Sequence, residues 1–472
     1  MTVVPAQASR VCWLPSAPSL DVATGRLLEW LTESDFGEAR HVRVPIPMID
    51  PLAWLGSQPT HSGRWYYQAR GGDVAGFALA GLGVAADGAR LGDPAVAALL
   101  GLTDRSAWCT GPIAYSWRGF DEASRLEPSP WSTLAGRGVV VPRVDVRRDG
   151  DGWSVGLSIV EGSPSEREAS QGLLEALVPT TAQTPAPQLE LVADDNPARW
   201  ADSVERALAA IADGRLEKVV LARTRRLAPV PTGDGTTRRI DPVDVAAALR
   251  REEPLAAIAV LQPGEGPAFV MASPERLYRR RDRIVESHAV AGTCGRGPDP
   301  DADERLAERL LKSDKNRREH DLTLHHIEEV LAPLTTERSW QREPRILRLT
   351  HVQHLVTELR GALREDVHDD AILQALHPTP AVCGVPTAAA REFIRQQEWT
   401  PRGLYAGVVG VSCEAAGEFS VAIRSALVDG ATVLAFAGAG IVAGSEADSE
   451  WLETSRKLET FDALTRSPRH AS

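Results

Sequence analysis

Five short strings between residues 217 and 457 set acidic and basic side chains where they could move protons or hold a cation. They are Lys218 in EKVVLAR, Glu275 in ASPERL, Glu319 in SDKNRREH, Arg424 in VAIRSA and Glu453 in EWLETSRK. Lys218 adjoins the apolar run Val219-Val220-Leu221 in an expected strand. On an edge strand such a lysine points to solvent. Facing a pocket, it loses the solvation that favours the ammonium form, as a general base requires. Glu275 follows an apolar strand and a Ser273-Pro274 turn, and is the natural counterpart. A carboxyl group in an apolar site keeps its proton and can act as an acid.

Glu450, Glu453 and Lys457 recur at steps of three and four, on one face of a helix. Such spacing most often marks a solvated charge stripe. Glu319 carries the same plain reading, although Mg²⁺ does favour one or two protein carboxylates completed by water and substrate oxygens. Gly438 and Gly440, in Phe436-Ala437-Gly438-Ala439-Gly440-Ile441, lack the spacing and following helix of a dinucleotide loop. They fit a strand that lets backbone N–H groups approach an anion closely. Arg424, on a neighbouring expected strand, offers a forked donor for a carboxylate or, equally, a cross-strand salt bridge. His354 in HVQHL and His377 in HPTPA, taken alone, read as core or capping residues.

The elements that must position these groups are those of a large globular chain. A length of 472 residues with 43% hydrophobic content can bury a sizeable core. A formal charge of -12 argues against a nucleic-acid-binding or anionic-membrane protein, since both need a basic surface. Cys12, Cys109, Cys294, Cys383 and Cys413 form no CxxC pair, so a reducing, cytoplasmic setting is expected. The apolar run over residues 433–444 is too short to span a bilayer, and MTVVPAQASRVCWLP lacks the features of a signal peptide.

Before residue 190, short apolar runs punctuated by Gly and Pro predict strands and turns, as over residues 76–84 and 136–144, without a chemical motif. Residues 178–188 read as a surface loop. Asn196-Pro197 marks a helix start, with Trp200, Val204, Leu208 and Ile211 at helical spacing, and Asp241-Pro242 opens another helix. Strands are expected over 217–227, 255–261, 268–272 and 284–291. Residues 303–331 lack Gly and Pro, and Leu306, Leu310, Leu324, Ile327 and Leu331 predict one long helix there. Glu319 lies in its middle, sharing a face with Lys315, Thr323 and His326. Strands over 403–413, 419–428 and 432–442 precede a last helix over 447–465, with Ser445 as its cap. The fold class is α+β with large antiparallel sheets.

Taken together, over about residues 196–464, these strings resemble the chorismate-utilising enzymes: isochorismate, salicylate, anthranilate and aminodeoxychorismate synthases. The motifs occur in family order, Glu275 and Glu319 being 44 positions apart and Glu319 and Glu453 134 apart. The resemblance implies a single large α/β unit with two antiparallel β-sheets flanked by helices. Residues 1–190 would complete the sheets, and 191–468 would form the catalytic region. It implies Mg²⁺ held by Glu319 and Glu453 with Glu450 beside them. Tyr405, Arg424, Gly438, Gly440 and Lys457 would hold the carboxylates of chorismate, with Gly292, Thr293, His354 and Ala381 around its ring. Lys218 stands where aminating members carry Gln, so it resembles the base that activates water, with Glu275 as the acid. Ala291 replaces the nucleophilic Lys of aminodeoxychorismate synthases, and Ala381 the Thr common in salicylate synthases. The implied activity is therefore isochorismate synthase, in a monomer without a glutaminase subunit. Salicylate synthase and a non-catalytic chorismate-binding homologue are the alternatives. Cys294-Gly295-Arg296 departs from the family pattern after Gly292-Thr293.

Overall fold

Several strands of this chain are buried along their whole length and therefore read as continuous apolar runs rather than alternating ones. Ala257–Gln262 (AIAVLQ) and Ala268–Ser273 (AFVMAS) are buried at every position. The computed structural model describes residues 11–34, 39–71, 77–102, 111–120, 129–150, 152–180, 188–230, 238–341 and 343–465. Within them lie two sheets, of 13 and 10 strands, whose pairings are antiparallel except for Val11–Trp13 against Arg40–Ile46.

In the larger sheet, Lys218–Pro229, Thr432–Ile441, Ser425–Asp429, Ala268–Ser273 and Ala257–Gln262 are successive neighbours. Arg64–Gln68 then pairs with Ala257–Gln262 and leads into strands from the first 160 residues. The second sheet runs from Thr335–Trp340 through Val352–Leu363, Ile284–Gly295, Arg276–Arg281, Ala416–Val421 and Val408–Ser412 to Ala114–Arg118, Arg137–Val141 and Ala86–Gly88. Early and late parts of the chain thus interleave in both sheets. A core holding Trp65, Tyr67, Trp117 and Phe269 fills the space between them, with Trp65 stacked on Trp117 at 5.8 Å. Burying such an aromatic side chain stabilises by roughly 1.5–3 kcal/mol.

Local signals placed several elements well. The Asn196 side chain accepts from the Ala198 N–H at 2.8 Å and opens Pro197–Ala212; Asp241 does the same for Val243 at 2.8 Å and opens Pro242–Glu252. Other expectations need correction. The single helix over 303–331 is two, Pro300–Lys312 and Asp314–Leu331, because Ser313 is extended (ψ 112°) and its hydroxyl caps the second helix. The strand expected over 419–428 is two, Ala416–Val421 and Ser425–Asp429, one in each sheet. The strand over 403–413 begins only at Val408. The final helix ends at Leu458 and continues as a 3-10 turn, Glu459–Leu464. Ser445 does not cap it: its hydroxyl accepts from the Val442 N–H at 3.2 Å. Arg276–Arg281 is a strand that the sequence reading missed. Of the loop expected over 178–188, residues 181–187 lie outside the described residues.

Two crossings between the sheets lie side by side. One is Ser273-Pro274-Glu275, leading from the larger sheet to the second. The other is Ala422-Ile423-Arg424, leading back. They are tied by Val421 N–H donating to the Glu275 carbonyl at 3.0 Å and by the Ser273 hydroxyl donating to the Val421 carbonyl at 2.6 Å.

Candidate active site

Both crossings open onto one narrow cavity of about 60 Å³. Lys218, beside this cavity and paired to its lining residue Glu319, lies on a strand that is not an edge: Lys218 pairs with Val385 on one side, and Val219 with Ile441 on the other. Its side chain is fully buried, with Nζ 2.9 Å from Glu319 Oε1. Gly440, on the adjacent strand, makes that approach possible. A Cβ there would lie 2.5 Å from Glu319 Oε1 and 3.0 Å from Lys218 Cε.

Glu275 lines the same cavity with 5% of its surface exposed. Burial pushes its carboxyl up to about 7, opposed only in part by Lys218, Lys457 and Arg70. At neutral pH a sizeable share of it is the protonated acid. Burial also pushes the Glu319 carboxyl up, but Lys218 more than reverses this, with Lys457 and Lys315 adding, so Glu319 stays ionised.

The helix Ala447–Leu458 brings three further groups. Lys457 Nζ donates to Glu453 Oε1 at 2.7 Å and to the Gly438 carbonyl at 2.9 Å. Glu450 is no part of a solvated stripe: it is 2% exposed and accepts from Lys315 Nζ at 2.6 Å. Burial and the neighbouring Glu453 hold its carboxyl above the ordinary range, with Lys315 opposing. Lys315 in turn is disfavoured by burial but held charged by Glu450, then Glu453, then Glu319. Lys315 thus feels the charge of all three carboxylates while pairing with Glu450 alone. Among the described residues they are not yet close enough together to form a ready metal cage. Their carboxylate oxygens are of the chemical type that Mg²⁺ takes.

Arg424 is not on a strand as expected. It sits in the crossing with φ +49°, an unusual conformation for a residue with a side chain. It donates to Thr460 Oγ1 at 3.2 Å, and Thr460 donates to Glu253 Oε1 at 3.0 Å. Tyr405 is buried and stacks on Phe436 at 5.1 Å. On the opposite wall, Gly292 (φ +75°) is the extra residue of a β-bulge that brings Thr293 opposite His354. Thr293 Oγ1 and His354 Nδ1 are 3.1 Å apart. Burial, Lys457 and Arg424 hold His354 well below its usual value, hence neutral. Ala381 also lines the cavity, whereas His377 is a core residue bonded to the Ala406 carbonyl at 3.0 Å. The departure at Cys294-Gly295-Arg296 leaves this wall intact: Arg296 pairs with Asp303 at 2.8 Å, and Gly295 makes room for Arg456.

Most of the candidate residues thus line one cavity, with Lys218 and Glu453 paired to its lining residues Glu319 and Lys457, whereas Glu450 pairs with Lys315 and His377 lies in the core. Sequence reasoning missed the Glu253–Thr460 support of Arg424, and it noted Lys315 only as a neighbour of Glu319 on one helix face.

The model of the family described as chorismate binding enzyme matches residues 28–465. The chain belongs to this family. Among similar members, the isochorismate synthase MenF of Escherichia coli is 32% identical over 437 residues, 90% of this chain and 93% of its own length. The salicylate biosynthesis isochorismate synthase of Pseudomonas aeruginosa is 40% identical over 264 residues. That match spans 56% of this chain and about half, 54%, of the relative's own length. The solved structure of the menaquinone-specific isochorismate synthase of Escherichia coli superposes with a TM-score of 0.82 at 29% identity, covering 95% of this chain and all of that one. The two-sheet fold is thus the family's, and no described helix is long and apolar enough to cross a membrane.

Proposed function

We propose that this chain is an isochorismate synthase, converting chorismate to isochorismate reversibly with Mg²⁺. The observation that carries the reading is a protonatable carboxyl, Glu275, lining the same cavity as Glu319, whose carboxylate lies 2.9 Å from the ammonium group of the buried Lys218. In the proposed reaction Lys218 takes a proton from water as that water adds to C2 of the ring. Glu275 gives its proton to the C4 hydroxyl, which leaves as water while the ring double bonds shift. Each proton transfer contributes on the order of 10²–10⁴-fold. Before it can accept a proton, Lys218 must give up its pairing with Glu319.

Glu319 and Glu453, with Glu450 beside them, are the proposed holders of Mg²⁺, which would neutralise and orient the ring carboxylate. Tyr405, Arg424, Lys457 and the backbone at Gly438 and Gly440 are assigned to the substrate carboxylates. Gly292, Thr293, His354 and Ala381 are assigned to the ring, within a catalytic region of residues 191–468. Water is the nucleophile, so the enzyme is proposed to act as a monomer without a glutaminase partner. A cytoplasmic setting is proposed for it.

Incubation with chorismate and Mg²⁺, followed by chromatography, tests the reading. Isochorismate without salicylate or pyruvate is the expected product. Salicylate and pyruvate formed by this chain alone would replace the proposal with salicylate synthase. Binding of chorismate without turnover would make the chain a non-catalytic homologue.

A further inference from the structure

Two strands share one side of Lys218–Pro229 and leave a gap between them. Gly384-Val385 pairs with Lys218 and Val219, and Leu189–Asp194 pairs from Arg225 onward. Among the described residues no strand pairs on that side with Val220 or Ala222, whose buried backbone groups must still find partners. The Val220 N–H donates to the Cys383 carbonyl at 2.8 Å. The next two groups are met by side chains. Arg402 Nη2 donates to the Val220 carbonyl at 2.8 Å, and Glu398 Oε1 accepts from the Ala222 N–H at 2.8 Å. Arg402 and Glu398 are themselves joined in a forked pair, Nε to Oε2 at 2.8 Å and Nη2 to Oε1 at 2.6 Å. Both side chains are buried. An ion pair thus fills the place of a missing strand.

The same guanidinium reaches two more segments. Its Nη1 donates to the Val382 carbonyl at 2.8 Å, and its carbon lies 5.6 Å from the centre of the Tyr405 ring. The Tyr405 N–H also donates to the Arg402 carbonyl at 2.9 Å. Val220, Val382 and Tyr405 all line the candidate active site. Val220 lies two residues beyond Lys218 on the strand, and Ala381, next to Val382, is assigned to the ring. One planar group therefore ties the strand of the proposed base to the wall of the ring pocket. Only arginine supplies that many donors in a fixed plane; a lysine ammonium in its place meets fewer partners from a flexible stem. A cavity of about 60 Å³ leaves little slack for these walls to drift.

We propose that Arg402, oriented by Glu398, is a positioning residue for the isochorismate synthase reaction, an inference that rests on the function proposed above. It fixes the separation between the strand bearing Lys218 and the wall formed by Ala381 and Val382, and it touches no reacting atom. Displacing a reacting group by about 1 Å costs on the order of 10²-fold in rate, so a small loosening of this clamp registers in turnover.

The test compares Arg402→Lys with a matched variant, Arg280→Lys. Arg280 has the same plan: it forks onto Asp369 at 2.9 and 2.6 Å and donates to the Cys413 and Glu414 carbonyls, both at 3.0 Å. None of those partners lines the cavity. Both lysine variants keep a positive charge beside the buried carboxylate and should lower the melting temperature. Arg402→Lys alone should lower kcat for isochorismate formation, counted per folded molecule, by about tenfold or more, with the loss falling mainly on kcat rather than KM. Should Arg402→Lys fail to fold, Glu398→Gln/Arg402→Gln, which removes both charges, is measured against Arg280→Lys in its place. Turnover per folded molecule near that of the unaltered chain would overturn the positioning role, as would an equal loss in Arg280→Lys. Absence of isochorismate from the unaltered chain is a separate result, and it would sink the proposed function together with this inference.

Discussion

Two clusters of buried charge, one drawn from residues 41–158 and the other from residues 218–457, are built on different plans. In the N-terminal half, Arg43 donates to Asp145 at 2.9 Å and to Ser154 Oγ at 2.7 Å. His41 bridges Ser158 and Arg43 at 3.0 and 3.1 Å. These residues come from three neighbouring strands of one sheet, and burial holds His41 well below its usual value and so neutral. Arg147 is the exception, its Nε and Nη1 having no hydrogen-bond partner among the described residues. In the candidate active site the charges arrive on separate segments: strand Lys218–Pro229, the crossing at Glu275, and two helices. There each carboxylate of the proposed metal set leans on one lysine, and Lys218 Nζ, though 2.9 Å from Glu319, is poorly aligned for a hydrogen bond. A network closed on itself holds strands together; one with single, exchangeable partners can hand them to a ligand.

That contrast breaks first if Lys218 proves dispensable. Lys218→Ala should lower isochorismate formation on the order of 10²–10⁴-fold in a product assay, with the fold retained by circular dichroism. Activity near that of the unaltered chain would remove the base from the scheme. Asp145→Ala should do the reverse. Leaving Arg43 and Arg147 without their shared carboxylate should cost about 3–5 kcal/mol in a denaturant titration, while turnover of the protein that remains folded stays near normal. An equal loss of turnover per folded molecule would erase the distinction between the two clusters.

How much of this was legible in the sequence depends on the range over which each feature acts. Asn196 and Asp241 cap their own helices, two residues away, and could be read directly. Lys218, Glu275, Glu319 and Glu453 could be placed because each sits in a distinctive string. Ser313 was passed over because the leucine spacing continues across it, and a serine followed by aspartate looks like helix interior until its hydroxyl is seen capping Asn316. The crossing at Arg424 was read as strand because nothing in VAIRSA announces a positive φ at a non-glycine residue. The Arg43–Asp145 pair spans 102 positions and Lys315–Glu450 spans 135, distances at which no local pattern survives. No motif stands out in the first 190 residues, whose described strands pair into both sheets over long sequence separations.

Glu275 sharpens the comparison through pH. Its carboxyl is raised from an ordinary 4.5 to about 7, chiefly by burial. Between those values the folded chain keeps a proton that the unfolded chain has lost. Stability attributable to this group is therefore greatest at low pH and falls as pH rises toward 7, by up to about 3 kcal/mol. Glu275→Gln should flatten that slope in melting curves taken across the window. In the unaltered chain, turnover should decline above about pH 7 as the acid form disappears, and a turnover profile flat through pH 8 would remove Glu275 as the proton donor.

The smallest expected effect concerns Arg424, whose support lies between the two plans. It has a closed chain of contacts, Arg424 to Thr460 to Glu253, yet it faces the cavity. If the chain positions the guanidinium for a substrate carboxylate, Thr460→Val should cost about 1 kcal/mol, the worth of an ordinary hydrogen bond. That cost should appear as a several-fold rise in KM for chorismate with kcat little changed, because the contact serves binding rather than the proton transfers. If Thr460 serves only the fold, the melting temperature drops and KM stays put. The variant thus separates a side chain held for substrate from one held for structure, within a single hydrogen-bonded chain.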